Sequence, residues 1–274
     1  MTESVLPVVS RQTNDNPKRS TVRIRSIALP IEHGAWGFLL EPILLGLLVA
    51  PSWSGVFLGI ATIGIFLMNH PLKITIKDYL RHKRYPRTAV AMRFVLFYGI
   101  VSIAAGILTL VTAQGPFLMP ILLAIPFALT QIVLASLNRG RTALAEVGGA
   151  VALAAAAAAI PMVAGWSFEQ AWVYWLILGA RDVSSIIYVR VRLRRARGEA
   201  FSSVTPMRVT MINVGLYVLL VILVVARPPL LVAAAVLLIR AQYGLSDQVL
   251  HQPAKVIGMI EIGVGLLVVL FAAL

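Results

Sequence analysis

Several short stretches of this sequence set ionisable side chains in otherwise apolar surroundings, where each costs on the order of a few kcal/mol and is a functional candidate by default. The first is Glu32-His33-Gly34-Ala35-Trp36, leading into Glu41-Pro42. His33, Gly37 and Glu41 follow at i, i+4 and i+8 and share one helical face. Glu32 and His33 can serve simply as a helix start at the interface, with Trp36 as an aromatic anchor. Glu41 lies deeper, and Pro42 frees a backbone carbonyl beside it, a setting for a ligand or proton site. The second stretch is Arg181-Asp182-Val183-Ser184-Ser185-Ile186-Ile187-Tyr188-Val189-Arg190-Val191-Arg192. On a helix Arg181, Ser185, Tyr188 and Arg192 form one stripe with Asp182 beside it. The apolar run 175–180 before it sets Arg181 and Asp182 at membrane depth. A structural Arg–Asp pair is one reading; the length of the stripe and its hydroxyls favour a cavity wall.

The third stretch joins Asn69-His70-Pro71-Leu72-Lys73 to Lys77-Asp78-Tyr79 and Tyr85-Pro86-Arg87-Thr88. It holds one acid among many bases. Ordinary flanking charge accounts for Arg81 to Arg84 but not for Asn69, His70 or Asp78. Guanidinium and ammonium groups in low dielectric bind phosphate well, which makes Lys73, Lys77, Arg87, Arg181 and Arg192 phosphate-binding candidates. If the second and third stretches face each other across a ring of helices, they form one basic cavity holding two carboxylates, Asp78 and Asp182. The apolar bundle below it suits an isoprenoid or acyl tail, so the expected ligand is a phosphorylated lipid. Two further acids remain: Glu146, expected to pair with Arg139 or Arg141 at a helix start, and Glu261, which needs a partner such as Arg240 or a polar cavity.

The elements that must position these groups are membrane helices. Of 274 residues, 59% are hydrophobic and only 13% charged, against about a quarter charged in soluble domains. A soluble globular domain and a disordered chain are both excluded. With no cysteine, thiol catalysis, disulfides and Cys-ligated metals are excluded too. A span needs roughly 20 apolar residues, and nine candidates follow: 33–50, 53–70, 92–112, 117–136, 143–165, 168–189, 209–226, 229–244 and 255–273. Residues 1–26 are largely polar with no sustained apolar run and read as a disordered cytoplasmic tail; 27–274 reads as a single transmembrane domain. The Asn69-His70-Pro71 break closes the second span, and 72–77 alternate like a strand, so a cytoplasmic helix or extended loop is expected there.

The charges then set the orientation. There are 24 Lys and Arg against 11 Asp and Glu, a net charge of +13. The basic residues fall on alternate connections, with Arg227 the exception on the other side, so the positive-inside rule puts the N-terminus in the cytoplasm of a bacterial-type plasma membrane. The basic excess therefore reads as topology and anionic-lipid contact. No basic–aromatic interleaving points to nucleic acid. Ala154–Ala159 after Gly148-Gly149 reads as a helix whose small side chains allow close approach at the bundle centre.

Residues 29–42, Leu-Pro-Ile-Glu-His-Gly-Ala-Trp-Gly-Phe-Leu-Leu-Glu-Pro, resemble the opening of the uncharacterised YwiC-like membrane protein family, and 179–194 resemble its second signature. The layout is also similar to the UbiA superfamily of intramembrane prenyltransferases, which implies an all-α bundle of about nine helices with polar motifs on the two–three and six–seven connections. That resemblance implies Mg²⁺ held by carboxylates, here Asp78 and Asp182, and an isoprenoid diphosphate substrate near Asn69 and Arg181. The superfamily's first motif, Asn-Asp-x-x-Asp-x-x-x-Asp, becomes Asn69, His70, Lys73 and Lys77 here, with Asp78 one place late. In the second region Ser185 and Arg190 stand where acids are expected. Either Lys and Arg hold the diphosphate directly or the chemistry has been lost. On this reading Asp78, Asp182, His33 and Glu41 are the catalytic candidates. Asn69, Lys73, Lys77, Arg87, Arg181, Ser185, Tyr188 and Arg192 are the substrate-binding ones. Two other functions are compatible with the same residues. One is a secondary transporter with Glu41, Glu146 and Glu261 as coupling groups. The other is a non-catalytic membrane partner, whose polar stripe is filled by its own salt bridges.

Overall fold

A computed structural model describes residues 24–29, 33–82, 85–198, 204–225, 228–245 and 252–274. Among them every regular element is an α-helix: α1 (Ile24–Ala28), α2 (His33–Val49), α3 (Trp53–Leu80), α4 (Pro86–Thr112), α5 (Leu118–Ser136), α6 (Ala143–Ala154), α7 (Ala156–Val163), α8 (Phe168–Ala196), α9 (Val204–Val225), α10 (Pro228–Gly244) and α11 (Ala254–Ala273). Polar side-chain caps start α3, α6 and α8. Ser52 accepts from the Gly55 amide at α3, and Thr142 from the Ala145 amide at α6. At α8, Ser167 and Gln170 form a reciprocal capping box, so backbone donors orphaned at the helix start are satisfied.

The protein is a helical membrane bundle. α3, α4, α5, the α6–α7 pair and α11 are each long and apolar enough to cross a membrane, and α2, α9 and α10 contribute shorter apolar helices. α4 and α5 turn Ile100, Ile103, Leu110 and Leu122 outward, exposed, as expected where the surroundings are lipid. α6 and α7 do the opposite. Ala154 to Ala159 are all buried, and this pair packs against α2, α3, α5 and α8, so the small-residue run does sit at the centre. The backbone tightens at Ala155, whose amide reaches the Ala152 carbonyl, and this splits the span into two helices without ending it. Close contact is built on glycine: a Cβ on Gly46 would lie 2.7 Å from Ile160 Cβ, and one on Gly148 would lie 2.8 Å from the Phe127 carbonyl oxygen.

Three expectations need correction. α3 does not end at Asn69-His70; it runs through Pro71 to Leu80. Proline removes one hydrogen bond, but the turns beyond it are held from outside. His70 Nε2 lies 3.0 Å from the Ser26 carbonyl oxygen of α1, Thr75 Oγ1 donates to the Pro71 oxygen, and Asp78 is gripped from α4. The strand-like alternation of 72–77 yields to that helical register. Likewise Pro42 lies inside a continuous α2, so Glu41 is not beside a helix break. α8 extends to Ala196, carrying its arginines a further two turns than the expected end at 189. Of the expected tail, residues 1–23 lie outside the described residues, and Ile24–Ala28 are helical.

Candidate functional site

α8 is the helix that builds the site. Arg181 lies thirteen residues from its start, about 20 Å along the axis, and is 2% exposed. Its Nη1 makes ion pairs with Glu41 Oε2 of α2 at 3.0 Å and with Asp182 Oδ1 at 3.1 Å. Its Nη2 donates to the Glu261 carbonyl oxygen of α11 at 2.9 Å. One turn on, Ser185 Oγ donates to Glu261 Oε2 at 2.6 Å, and Arg240 Nη1 of α10 donates to the same carboxylate oxygen at 2.7 Å and to Ser185 at 3.0 Å. The Arg240 guanidinium stacks over the Tyr188 ring, 4.3 Å from its centroid. Arg192 Nη1 donates to the Tyr188 hydroxyl at 2.8 Å and Nη2 to Gln252 Oε1 at 2.6 Å. The result is a chain of charged and hydroxyl groups on α2, α8, α10 and α11, with Glu41, Asp182, Ser185 and Tyr188 all buried. Asp182 Oδ2, Glu261 Oε1 and Arg240 Nη2 are buried with no hydrogen-bond partner.

Glycines make room for this chain. A Cβ on Gly265 of α11 would overlap Glu41 and crowd Arg181, and one on Gly244 of α10 would overlap the Tyr188 hydroxyl. Gly37 leaves 3.0 Å between such a Cβ and Glu41 Oε1. Small residues thus let α2 and α11 approach closely enough for the Glu41 carboxylate and the Glu261 backbone carbonyl to share the Arg181 guanidinium of α8.

A cavity of about 390 Å³ opens on this network. Glu41, Arg181, Ser185 and Glu261 are among its lining residues, and Arg141, Glu146, Arg190, Arg194 and Arg197 line it further along α8. Its α8 wall follows one helical face: Arg181, Ser185, Val189, then Arg190, Arg194 and Arg197 towards the C-terminal end. The exposed arginine end is the mouth and the buried carboxylates are the depth. Arg190 Nη1 reaches Glu146 Oε2 at 2.7 Å and the Arg141 carbonyl oxygen at 2.9 Å, bridging α6 and α8 at the mouth. Glu146 therefore has a partner on α8, which the expectation built on Arg139 or Arg141 did not include. Arg240 as the partner of Glu261 is borne out.

The second and third polar stretches are not brought to one cavity. Asp78 sits at the end of α3 and accepts from Arg87 Nη2 at 2.9 Å, Arg87 Nε at 3.2 Å and Thr88 Oγ1 at 2.7 Å. Arg87 also stacks on Tyr85, 4.9 Å from its centroid. α3 packs on α4, α7, α2 and α1, while α8 packs on α9, α6, α7, α11 and α2. Asn69, Lys73, Lys77, Asp78 and Arg87 contribute nothing to the lining of the arginine cavity; Lys73 and Lys77 are exposed. The physical reason is local: α3 and α4 form a hairpin closed by the Asp78–Arg87 pair, and that hairpin lies on the far side of the central α6–α7 pair. His33 begins α2, but its side chain, like Glu32, lies outside the described residues.

A shared Mg²⁺ does not fit Asp78 and Asp182. Both oxygens of Asp78 are engaged by Arg87 and Thr88, Oδ1 of Asp182 is engaged by Arg181, and the helices that carry them, α3 and α8, meet α7 and α2 rather than packing on each other. Among the described residues no group of three or more His, Asp or Glu side chains is arranged to hold a metal ion.

Sequence comparison meets this geometry from the other side. Residues 29–161 match a family model described as YwiC-like protein. The similarity is to the YwiC-like family. It covers α2 to α7, including Glu41 and Glu146 of the cavity, and ends before the 179–194 block of α8 that carries Arg181. No curated protein and no solved structure matches the chain. Arg194 and Arg197 were read from sequence as topological charge, and Arg190 as a departure from an acidic motif; none was read as lining a cavity. Their i, i+4, i+7 spacing was the available signal that they share a face.

Proposed function

We propose that this membrane protein binds the phosphorylated head group of an amphiphilic lipid, of the isoprenyl (di)phosphate type, in the arginine cavity. One observation carries this reading: a single cavity has five arginines on its wall, Arg141, Arg181, Arg190, Arg194 and Arg197, against three acids, Glu41, Glu146 and Glu261. Guanidinium groups present paired donors that match phosphate oxygens, and their strength rises where water is excluded. The exposed rim would collect the head group and the buried Arg181 would set its depth. The direct cation route replaces metal bridging, since the acids available do not gather around one ion. Prenyl transfer is the divergent-enzyme form of this reading; simple binding is its minimal form.

Native mass spectrometry of protein purified in mild detergent tests it. A phosphate-bearing lipid should co-purify with the wild type and be depleted in Arg194→Gln/Arg197→Gln. The Lys73→Gln/Lys77→Gln variant, changed outside the cavity, should retain it. Equal retention in both variants would overturn the reading.

A second reading has its own observation. Glu41 pairs with Arg181 and Glu261 with Arg240 within one buried network, and buried ionisable groups of this kind can serve a secondary transporter as coupling groups. Uptake of a phosphorylated solute into vesicles containing only this protein, abolished by Glu261→Gln, would favour it over binding alone.

A further inference from the structure

The buried end of the network carries unequal charge. Three carboxylates, Glu41, Asp182 and Glu261, are buried there with two guanidiniums, Arg181 and Arg240. Glu261 is compensated, because its Oε2 accepts from both Arg240 Nη1 and Ser185 Oγ. Glu41 and Asp182 are not. Glu41 Oε2 and Asp182 Oδ1 lie against the same nitrogen, Arg181 Nη1, at 3.0 and 3.1 Å, so one positive charge serves two acids. Their other oxygens, Glu41 Oε1 and Asp182 Oδ2, are sealed from solvent and accept no hydrogen bond. The third buried guanidinium, Arg192, lies ten residues beyond Asp182, about 15 Å along α8, and donates to Tyr188 and Gln252.

The packed elements bring no further cation to this pair. α5 and α7 carry no ionisable residue. α6 carries Glu146, which is bound to Arg190 at the mouth. There Arg194 and Arg197 are exposed, so water screens them. α9 brings the Tyr217 hydroxyl within electrostatic reach of Arg181, and a phenol is uncharged at neutral pH. Arg208 of α9 and Lys255 of α11 are exposed near the starts of their helices. The first ionisable residue of α3 is His70, which lies against α1. Among the described residues, one negative charge around Arg181 therefore has no counter-charge.

We infer that Glu41 and Asp182 form a proton-binding site, which holds one shared proton at neutral pH and exchanges it through the arginine cavity. Two carboxyl groups held against one cation do not both ionise where water is excluded. Uptake turns a carboxylate and a hydronium ion of the cavity water into a carboxylic acid and water. The acid removes the excess charge and adds a donor where the oxygens have none. A proton fits where larger cations do not, because the free oxygens are closed to a water-sized molecule. Glu41 lines the cavity, and this gives the exchange route. The site names a proton carrier for the transport reading, yet it rests on neither reading of the cavity, and its test contains no ligand.

Infrared spectroscopy of the full-length protein tests this, in a maltoside detergent that has no carbonyl group of its own. At neutral pH the wild type should show the carbonyl stretch of one protonated carboxylic acid per chain. That band should shift when H2O is replaced by D2O without unfolding. Glu41→Gln and Asp182→Asn should each abolish it, because the carboxylate left behind pairs one to one with Arg181 and ionises. Asp78→Asn, changed outside the cavity, should retain it. Thermal unfolding checks that the variants are folded, and the wild-type spectrum needs no variant. Absence of the band from the wild type overturns the inference. So does a band that survives either Glu41→Gln or Asp182→Asn, since the proton would not be shared by the pair. A band that ignores D2O overturns it too, since the site would not exchange with cavity water.

Discussion

Removing Arg240 leaves the Glu261 carboxylate buried with Ser185 as its surviving donor. Both side chains of this pair are almost wholly buried, at 4% and 10% exposure, and the contact is 2.7 Å. Breaking such a pair from one side costs about 3–5 kcal/mol, because the remaining charge stays desolvated. At about 2–4 °C per kcal/mol for a chain of this size, Arg240→Met should lower the melting temperature by on the order of 10 °C. The double variant Arg240→Met/Glu261→Met removes both charges together. Ser185 can then turn to the carbonyl oxygen one turn before it, and most of the lost stability should return. Intrinsic tryptophan fluorescence during a thermal ramp in detergent measures all three proteins. If the double variant is no more stable than Arg240→Met, or if Arg240→Met melts within about 1 °C of wild type, the pair is not the compensated buried unit argued above.

Other outcomes follow from the same contacts. Gly265→Ala places a methyl group against Glu41 and Arg181 and should destabilise by about 1–3 kcal/mol through overpacking, read in the same thermal ramp. Gly263→Ala, whose Cβ meets nothing within 4 Å, should be silent. Glu146→Gln breaks the half-exposed bridge to Arg190 and should cost less than about 1 kcal/mol of stability. It should nevertheless raise the modification rate of a cysteine introduced at Ser185, because the mouth is no longer tied across α6 and α8. Asp78→Asn should loosen the α3–α4 connection, seen as faster hydrogen exchange at 78–88, and leave the co-purifying lipid unchanged. Loss of that lipid in Asp78→Asn would restore the α3–α4 stretch to the binding site.

The membrane helices were legible because hydropathy acts residue by residue. Each expected span meets a helix, and the errors fall at Pro71, at the end of α8 and at Ala155, where caps and tertiary contacts decide. That Arg181, Ser185, Tyr188 and Arg192 share a face was legible from helical periodicity alone, but of the four only Arg181 and Ser185 line the cavity. What packs against that face was not legible. A periodic pattern names a face but not its neighbour, and the neighbour here was decided by Gly37 and Gly265, which let α2 and α11 close around Arg181. Glu41 and Glu261 therefore looked like separate acids, although they share one network. Asp78 was a metal candidate through the resemblance to the prenyltransferases, and the stretch that placed Arg87 and Thr88 with it did not show that they reach its carboxylate across the hairpin. The site also explains why so many arginines collect at one end of α8: basic flanking charge and a cavity rim place the same residue type at the same depth.

The most direct measurement is equilibrium binding of radiolabelled farnesyl diphosphate to the purified protein, competed with inorganic diphosphate, with and without a chelator of divalent cations. Binding should be saturable, displaced by inorganic diphosphate and unaffected by the chelator. It should weaken about tenfold in Arg194→Gln/Arg197→Gln, corresponding to about 1.4 kcal/mol. Absence of saturable binding, or binding that needs a divalent cation and ignores the two arginines, would contradict the account.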